Sequence, residues 1–235
     1  DLGVTFAEGA PNFKVWAPTA KALRLAIYPD ATTETASTTV NMSEGEDGVW
    51  SAAGESEWMG QYYLFEVDVY VRSEGAVVTN AITDPYSISL SMNSTRSHII
   101  DLEDPAYMPE GWGDITKPEL EAFEDIVLYE LHVRDFSAND LTCTEAKRGT
   151  FAAFAESASD GVNHLSFLAD AGITHIHLLP SFDLATINED PSQRTEPVIP
   201  DAAPNSEEQQ AAAQAVKDDD ADNWGYDPFH YEVPE

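Results

Sequence analysis

The sequence predicts an antiparallel β-sandwich followed by a parallel strand–helix–strand unit. Short segments with alternating apolar residues fill the first hundred positions, and two nearly continuous apolar segments flank a helical pattern after residue 125. Alternation with period two is typical of half-buried antiparallel strands, whereas continuous apolar runs are typical of strands covered on both faces. The chain has 235 residues, which is enough for one large domain or two ordinary ones.

The sandwich is predicted from several short strands separated by turns. In GQYYLFEVDVYV (60–71), every second residue from Tyr63 to Val71 is apolar, and KALRLAIYP, NFKVWAP and GVWSAA are further candidates. Strands of this length and spacing favour a β-sandwich. Trp16 lies within one of these strands and is expected in the core. Trp50 and Trp58 are candidates for surface platforms that bind a sugar.

The parallel unit is predicted from three consecutive segments. The apolar runs IVLYELHV (126–133) and ITHIHLLP (173–180) are expected to be buried strands. Between them, GVNHLSFLADAG (161–172) has the apolar spacing of one helix face, with Gly172 suited to its C-terminus. The predicted helix face consists of Val162, Leu165, Phe167, Leu168 and Ala171.

The domain boundary is expected in a segment that contains several prolines and glycines and shows no regular spacing of apolar residues. We predict a sandwich over residues 1–104, a linker over 105–125 and a second region over 126–235. The second region contains an acidic insertion at about 186–221. Within it, SEEQQAAAQAVK is expected to form an exposed helix with Ser206 as N-cap and Gln209 completing a capping box.

The charge of the chain restricts its partners. Forty-three acidic residues against 11 basic ones give a net charge of −32. A surface this negative repels nucleic acid and anionic membranes, but it tolerates a neutral substrate such as a carbohydrate. It is also typical of proteins from salty habitats. No segment has the roughly 20 apolar residues of a membrane span, and the first ten residues do not resemble a signal peptide.

No metal or cofactor site is assigned from the sequence. His132, His175 and His177 lie on the apolar strands, but a third ligand near the latter pair is not evident, and hydrogen-bonded strand histidines are the preferred interpretation. Calcium is conceivable at the acidic run KDDDAD, yet the ligand spacing of a calcium-binding loop is missing. The single cysteine, Cys143, allows no disulfide within the chain.

The segment DNWGYDP (222–228) is the strongest candidate for a ligand site. It places two aromatic rings, Trp224 and Tyr226, around a glycine and between carboxylates. An aromatic face can cover the C–H face of a sugar ring, and a carboxylate such as Asp227 can accept hydrogen bonds from its hydroxyls. Packing against the long insertion is the structural alternative for both rings.

Five segments in order resemble one enzyme family. FKVWAPTA (13–20) is similar to the opening strand of carbohydrate-binding module family 48, and TDPYSISLSMNSTRSHIIDLEDP (83–105) to the segment that leaves this module in bacterial type I pullulanases. IVLYELHVRDFS and GVNHLSFLADAGITHIHLLPSFDLATINE resemble the first strands and helix of their glycoside hydrolase family 13 barrel. NWGYDP resembles the pullulanase signature, which usually has a tyrosine in place of Asp222.

The resemblance implies the first β/α units of a (β/α)8 barrel after the sandwich, in an enzyme that cleaves α-1,6 links in pullulan, amylopectin or glycogen. Such enzymes retain the anomeric configuration by means of an aspartate nucleophile and a glutamate acid/base, whose carboxyl groups lie about 5–5.5 Å apart. Their later barrel strands, which carry these groups, have no counterpart here. We therefore assign no catalytic residue, and we expect the chain alone to be inactive.

The resemblance also implies a role for the aromatic loop. Tyr226 matches the family tyrosine that stacks on the sugar before the scissile bond, and Trp224 and Asp227 lie beside it. An extracellular or cell-surface location is expected from the family, with the signal outside this chain. Two alternatives remain open. One is a glucan-binding protein without catalysis, and the other is a related family 13 enzyme such as an isoamylase or a branching enzyme.

Overall fold

The structure is a computed structural model that describes residues 1–217 and 225–235. Its described residues form two compact units. Residues 1–108, 182–217 and 227–235 make up the first unit, and residues 109–181 with 225–226 make up the second. Most described residues after 181 therefore belong to the same compact unit as the predicted sandwich. The division by function into sandwich (1–104), linker (105–125) and barrel segment (126–235) stays a prediction.

The first unit contains the predicted sandwich. One sheet has the strand order β1-β2-β6-β5, and the other has the order β4-β3-β7-β8 with β9 paired to β7; all of these pairs are antiparallel. The strands within residues 1–108 are β1 (Gly3–Ala7), β2 (Ala10–Trp16), β3 (Ala20–Tyr28), β4 (Thr38–Asn41), β5 (Ser43–Glu44), β6 (Val49–Ala53), β7 (Tyr62–Val71), β8 (Ala76–Ile82) and β9 (Ser97–His98).

The core of the sandwich follows the predicted alternation. Leu25 is paired with Phe65 across β3 and β7, and Ile27 with Tyr63; all four side chains are buried. From the facing sheet, Phe13 places its ring 5.0 Å from that of Tyr63 in an edge-on arrangement. Burial of each such side chain contributes about 1.5–3 kcal/mol, so this cluster accounts for much of the stability of the unit.

The tryptophans differ from expectation. Trp16 was expected in the core, but its side chain is 58% exposed, because Val15 and Phe13 take the inner face of β2 and period two sends residue 16 outward. Trp50 is buried and donates from Nε1 to the carbonyl of Ala17 at 3.1 Å, so it cannot be a surface platform. Trp58 is half-buried against the core, with its ring centroid 6.3 Å from that of Phe13.

The second unit contains the predicted strand–helix–strand arrangement. Strands β10 (Leu128–Leu131) and β11 (His175–Leu178) are parallel, and the helices α1 (Val133–Ser137) and α2 (Asp160–Asp170) lie between them in sequence. Ser159 caps α2, because its hydroxyl accepts a hydrogen bond from the backbone N–H of Val162. The predicted order and the parallel pairing are therefore confirmed.

The predicted burial of this unit is wrong in two places. Leu128, Ile176 and Leu178 of the strand pair are exposed, since two strands and one long helix cannot cover both faces of a sheet. Phe167 is also exposed on α2. It lies five residues after Val162, which at 100° per residue places it about 140° from Val162 around the helix and about 160° from the middle of the face formed by Val162, Leu165 and Leu168. Ala171, the last residue of the predicted face, is exposed as well.

A hairpin-like strand pair after residue 181 was not predicted. Strand β12 (Phe182–Leu184) pairs antiparallel with β13 (Pro228–Pro234) across the acidic insertion. Within the insertion, α3 (Glu208–Gln214) confirms a helix, but the capping box is wrong. Ser206 accepts from the N–H of Glu208, whereas the Gln209 amide donates to the carbonyl of Ala202 at 2.9 Å instead of reaching back to the N-cap.

None of the helices in the part of the chain that the structure describes has both the length and the apolar character needed to cross a membrane.

A buried polar junction closes the sandwich after β8. Asp84 is fully buried, and its carboxylate accepts hydrogen bonds from the hydroxyl of Tyr63 and the N–H of Tyr86, both at 2.8 Å. The N–H of Asp84 donates to the hydroxyl of Ser97, and Ser87 donates to the Asp84 carbonyl. Burial raises the pKa of Asp84 above its usual value and that of Tyr63 well above 10.0. The junction fixes residues 83–87 against the core.

The pH dependence of unfolding tests this junction. Tyr63→Phe removes the hydroxyl, so we expect a loss of about 1–2 kcal/mol in the free energy of unfolding at pH 7. Because the folded state keeps Tyr63 protonated, its contribution is complete below pH 10 and is lost as the pH rises further, so the difference from wild type should shrink above pH 10. Urea unfolding between pH 7 and 11 measures it. Tyr70→Phe, exposed on the same strand, is the control, and a pH-independent difference would contradict this account.

Candidate functional site

The predicted aromatic loop requires glycine at position 225. Gly225 has φ +78°, and a Cβ built there would lie 2.8 Å from Cβ of Pro180 and 3.0 Å from its carbonyl oxygen. Both the left-handed backbone and the lack of space exclude a larger residue without rearrangement. The loop therefore bends sharply directly before Tyr226.

Tyr226 presents its ring to solvent. Its side chain is 71% exposed, which excludes a role as a core residue among the described parts of the chain. An exposed tyrosine that follows a sterically restricted glycine is held at its backbone while its ring stays accessible. Trp224, the second predicted ring, lies outside the described residues, and so does Asp222.

Asp227 is fixed from both its backbone and its side chain. Its carbonyl accepts a hydrogen bond from the N–H of Ala185 at 3.0 Å, and its carboxylate accepts one from the hydroxyl of Thr186. Its side chain is half-buried, so it also reaches solvent. The residues just after β12 thus determine where Asp227 lies.

A buried acid–histidine pair lies next to Asp227 on the same strand pair. Asp183 of β12 and His230 of β13 face each other in register, with 2.6 Å between Oδ2 and Nδ1, and both are only 2% exposed. The hydroxyl of Ser94 donates to the other oxygen of Asp183 at 2.6 Å, and Thr83 Oγ1 lies 2.9 Å from Nε2 of His230. Every polar atom of the pair thus has a partner, as buried polar groups require.

Ser94 belongs to a turn with an unusual backbone. Asn93 and Ser94 both adopt positive φ, at 56° and 51°, which costs non-glycine residues about 1–2 kcal/mol each. Hydrogen bonds to the region after β12 offset this cost. Besides the contact of Ser94 with Asp183, the side-chain oxygen of Asn93 accepts from the N–H of Glu189 at 2.8 Å.

Three carboxylates of the same region lie close together. Asp183, Glu189 and Glu235 offer oxygen atoms within 4.8 Å of one another, and they form the grouping in the described residues that could hold a metal ion. The side-chain carboxylate of Glu235 is partly desolvated, although the residue as a whole is exposed. This burial raises its pKa to about 7, while the N–H of Leu184 donates to it at 2.8 Å. Burial also raises the pKa of Glu189.

The histidines considered from the sequence do not belong to that grouping. His177 Nδ1 lies 3.2 Å from a carboxylate oxygen of Glu130, its neighbour on the parallel strand, and both side chains are exposed. His175 Nδ1 lies 2.8 Å from the hydroxyl of Thr174. Most of the acidic run KDDDAD lies outside the described residues, so the calcium hypothesis for it stays open.

Sequence reasoning did not find the buried pair or its partners. Thr83 and His230 are 147 residues apart, and neither belongs to a short motif with a known spacing. A weak signal did exist, because Thr83, Ser94, Asp183 and His230 all lie in or directly beside segments that resemble the pullulanases. The pattern alone did not show that these segments meet.

Comparison with known proteins agrees with these observations. Residues 1–87 match the family described as carbohydrate-binding module 48 (isoamylase N-terminal domain). The whole chain aligns with pullulanase 1, chloroplastic, of Arabidopsis thaliana at 37% identity, covering 99% of this chain and 25% of that protein. The pullulanase of Klebsiella aerogenes is 34% identical over the same shares. Residues 1–87 are thus similar to carbohydrate-binding module 48, and the chain is similar to pullulanases over almost its entire length.

The structural comparison extends the homology beyond the module. A crystal structure of Klebsiella pneumoniae pullulanase complexed with maltotriose superposes with a TM-score of 0.90 at 33% identity, covering 100% of this chain and 26% of that one. The chain thus spans about a quarter of the length of the curated relatives it matches. Because the alignment covers the entire chain, it includes Tyr226, Asp227 and the strand pair β12–β13.

A substitution at Gly225 tests the restricted bend. We expect Gly225→Ala to destabilise the second unit more than Gly172→Ala. Both positions have positive φ and incur about 1–2 kcal/mol of backbone strain, but only Gly225 also meets Pro180, whereas a Cβ at Gly172 finds nothing within 4 Å. Guanidinium unfolding of both variants measures the difference. Equal destabilisation would show that the contact with Pro180 does not constrain the loop.

Proposed function

We propose that the protein carrying this chain hydrolyses α-1,6 links in branched α-glucans, with pullulan, amylopectin and glycogen as substrates. The chain supplies the sandwich module and one wall of the substrate cleft, whereas the catalytic carboxylates lie on barrel strands outside residues 1–235. The observation that carries this proposal is the structural similarity of the entire chain to 26% of a pullulanase complexed with maltotriose. Location outside the cell stays a prediction.

The second unit supports the barrel part of this proposal. Its two parallel strands expose apolar side chains at Leu128, Ile176 and Leu178, and parallel strands are normally covered on both faces. In a closed (β/α)8 barrel, further strands and helices would cover these side chains. The loops at the carboxyl ends of the strands would then form the active site. The aromatic loop comes after the end of β11, in keeping with that location.

Within the cleft, Tyr226 is proposed to stack on a glucose ring and Asp227 to accept a hydrogen bond from a sugar hydroxyl. The exposure of the Tyr226 ring and the fixed backbone on both sides of it are what stacking requires. Trp224 is proposed as a neighbouring contact from its place in the sequence alone. These contacts would hold the substrate in a defined position, so that the catalytic carboxylates of the barrel act on the correct glycosidic bond.

Tyr226→Ala tests this assignment on the protein at its natural length. We expect kcat/KM for pullulan to fall about two- to tenfold, since loss of an aromatic contact costs about 0.5–1.5 kcal/mol. Reducing-sugar release measures the effect. Tyr231→Ala is the matched control, because Tyr231 has the same 71% exposure but lies on β13 against Phe182.

Three outcomes of this assay would contradict the proposal. Equal losses in both variants would remove the special role of Tyr226. A wild-type protein that cleaves glycogen but not pullulan would favour an isoamylase-type enzyme. A natural protein without hydrolase activity that still binds glucans would favour the binding module.

The exposed Trp16 favours glucan binding by the sandwich as a second function. Its indole N–H donates to the carbonyl of Asp47 at 2.9 Å, so the ring is held in place on the outer face of β2. Asn12 and Lys14 share that face of the strand and supply polar groups. A fixed ring beside hydrogen-bonding groups is suited to a sugar face.

Trp16→Ala should therefore weaken retention of the protein on amylopectin in affinity electrophoresis, by about two- to tenfold in apparent Kd. Trp112→Ala is the control, because Trp112 is exposed to a similar extent, at 59%, but belongs to the second unit. Retention that is unchanged in Trp16→Ala would show that the sandwich does not use this ring.

A further inference from the structure

We propose that Thr83, Ser94, Asp183 and His230 form a buried clamp through which the sandwich positions Asp227 for substrate binding. The four are positioning residues, since the structure gives them contacts with one another and with the strand pair β12–β13. The inference rests on the proposed function for the role of Asp227, but the clamp itself is defined by contacts within the first unit alone.

The first part of the argument is the rigidity of the anchors. Thr83 directly precedes Asp84, which is held by the hydroxyl of Tyr63, the N–H of Tyr86 and the side chain of Ser97. Ser94 lies in the turn with two left-handed residues, where its own N–H donates to the carbonyl of Ser91. Both anchors therefore belong to parts of the sandwich that hydrogen bonds hold in place.

The second part is how the anchors hold the strand pair. Asp183 accepts from Ser94 through one carboxylate oxygen and contacts His230 through the other. Thr83 serves both protonation states of His230, because its hydroxyl donates to a neutral Nε2 and accepts from a protonated one. One hydroxyl thus anchors each strand, Ser94 for β12 and Thr83 for β13.

The third part is the short path from the clamp to Asp227. Asp227 directly precedes β13 and lies three residues before His230, and its carbonyl is bonded to Ala185, two residues after Asp183. Thr186 holds its carboxylate. A shift of His230 or Asp183 is therefore transmitted to Asp227 through only a few backbone units. Burial of the pair excludes a direct contact with substrate, which leaves positioning as its means of acting.

Other charged groups around the pair do not change this argument. Asp84 faces His230 from the sandwich, Glu232 lies two residues further along β13, and Glu189 and Glu235 lie near Asp183. The clamp is proposed as a geometric device, and its test does not depend on the titration of these groups.

Thr83→Val tests the clamp in the protein at its natural length. Valine keeps the shape of threonine but removes the hydroxyl, so His230 loses its anchor. We expect the amide of Ala185 to exchange its hydrogen about two- to tenfold faster, the range that corresponds to one hydrogen bond. We expect KM for pullulan to rise within the same range while kcat changes less. Thr83→Ser should restore both values.

Thr79→Val is the matched control. The hydroxyl of Thr79 also bonds to a side chain of the sandwich, Asp68 at 2.6 Å, but on the exposed face of β8. It should change neither the Ala185 exchange rate nor KM. Should Thr83→Val fail to fold, Ser94→Ala probes the other anchor with the same readouts.

The outcomes separate this inference from the proposed function. Unchanged exchange at Ala185 in both Thr83→Val and Ser94→Ala would overturn the clamp, whatever the activity. Faster exchange with unaltered KM in an active enzyme would show that the clamp does not position the substrate site, which also overturns the inference. A wild-type protein that neither binds nor cleaves glucans would overturn the proposed function, and hydrogen exchange would still decide whether the clamp holds Asp227.

Discussion

The pairing of β3 with β7 is the constraint on which the first unit depends. It places Leu25 and Ile27 beside Phe65 and Tyr63 and so creates the apolar face that the other sheet covers. Tyr63 then has a second role, because its hydroxyl reaches Asp84 at the end of β8. The same side chain thus belongs to the apolar core and to the polar junction. From that junction the chain continues to the turn that holds β12 and β13.

This organisation suggests why a carbohydrate-binding module and a substrate loop occur together in one chain. The sandwich contributes a surface with an exposed indole, but it also contributes two hydroxyl groups to the strand pair β12–β13. Ser94 contacts Asp183, 89 residues further along the sequence, and Thr83 contacts His230, 147 residues further along. Hydroxyl groups on a rigid sheet are precise anchors because little conformational freedom remains to be lost. Under the proposed function, the sandwich supports the substrate cleft and also offers a second glucan site.

The sequence predicted an element correctly wherever the spacing of apolar residues alone determined whether a strand or a helix forms. The alternation in β7 and the helical spacing of α2 both predicted their elements correctly. Trp16 was misplaced because residue type was given more weight than the alternation, which puts it on the face opposite Val15. The strands β10 and β11 were predicted to be buried because their composition is that of a covered sheet, but the residues that the structure describes leave Leu128, Ile176 and Leu178 exposed. The pair Asp183–His230 could not be predicted, since it depends on tertiary contacts between segments without a shared pattern.

The strand pair β10–β11 has a consequence for the colloidal behaviour of the chain. Among the described residues, each strand has one edge without a partner in this sheet. The exposed side chains of Leu128, Ile176 and Leu178 add an apolar surface that favours association with another copy of the chain. The net charge of −32 opposes such contact at long range. The Debye length, which is the distance over which this charge repulsion acts, falls from about 30 Å at 0.01 M salt to about 3 Å at 1 M salt. Salt concentration therefore controls the self-association of this chain in isolation. In dilute buffer, charge repulsion keeps the molecules apart, whereas in concentrated salt the repulsion is screened and the exposed strand edges can pair.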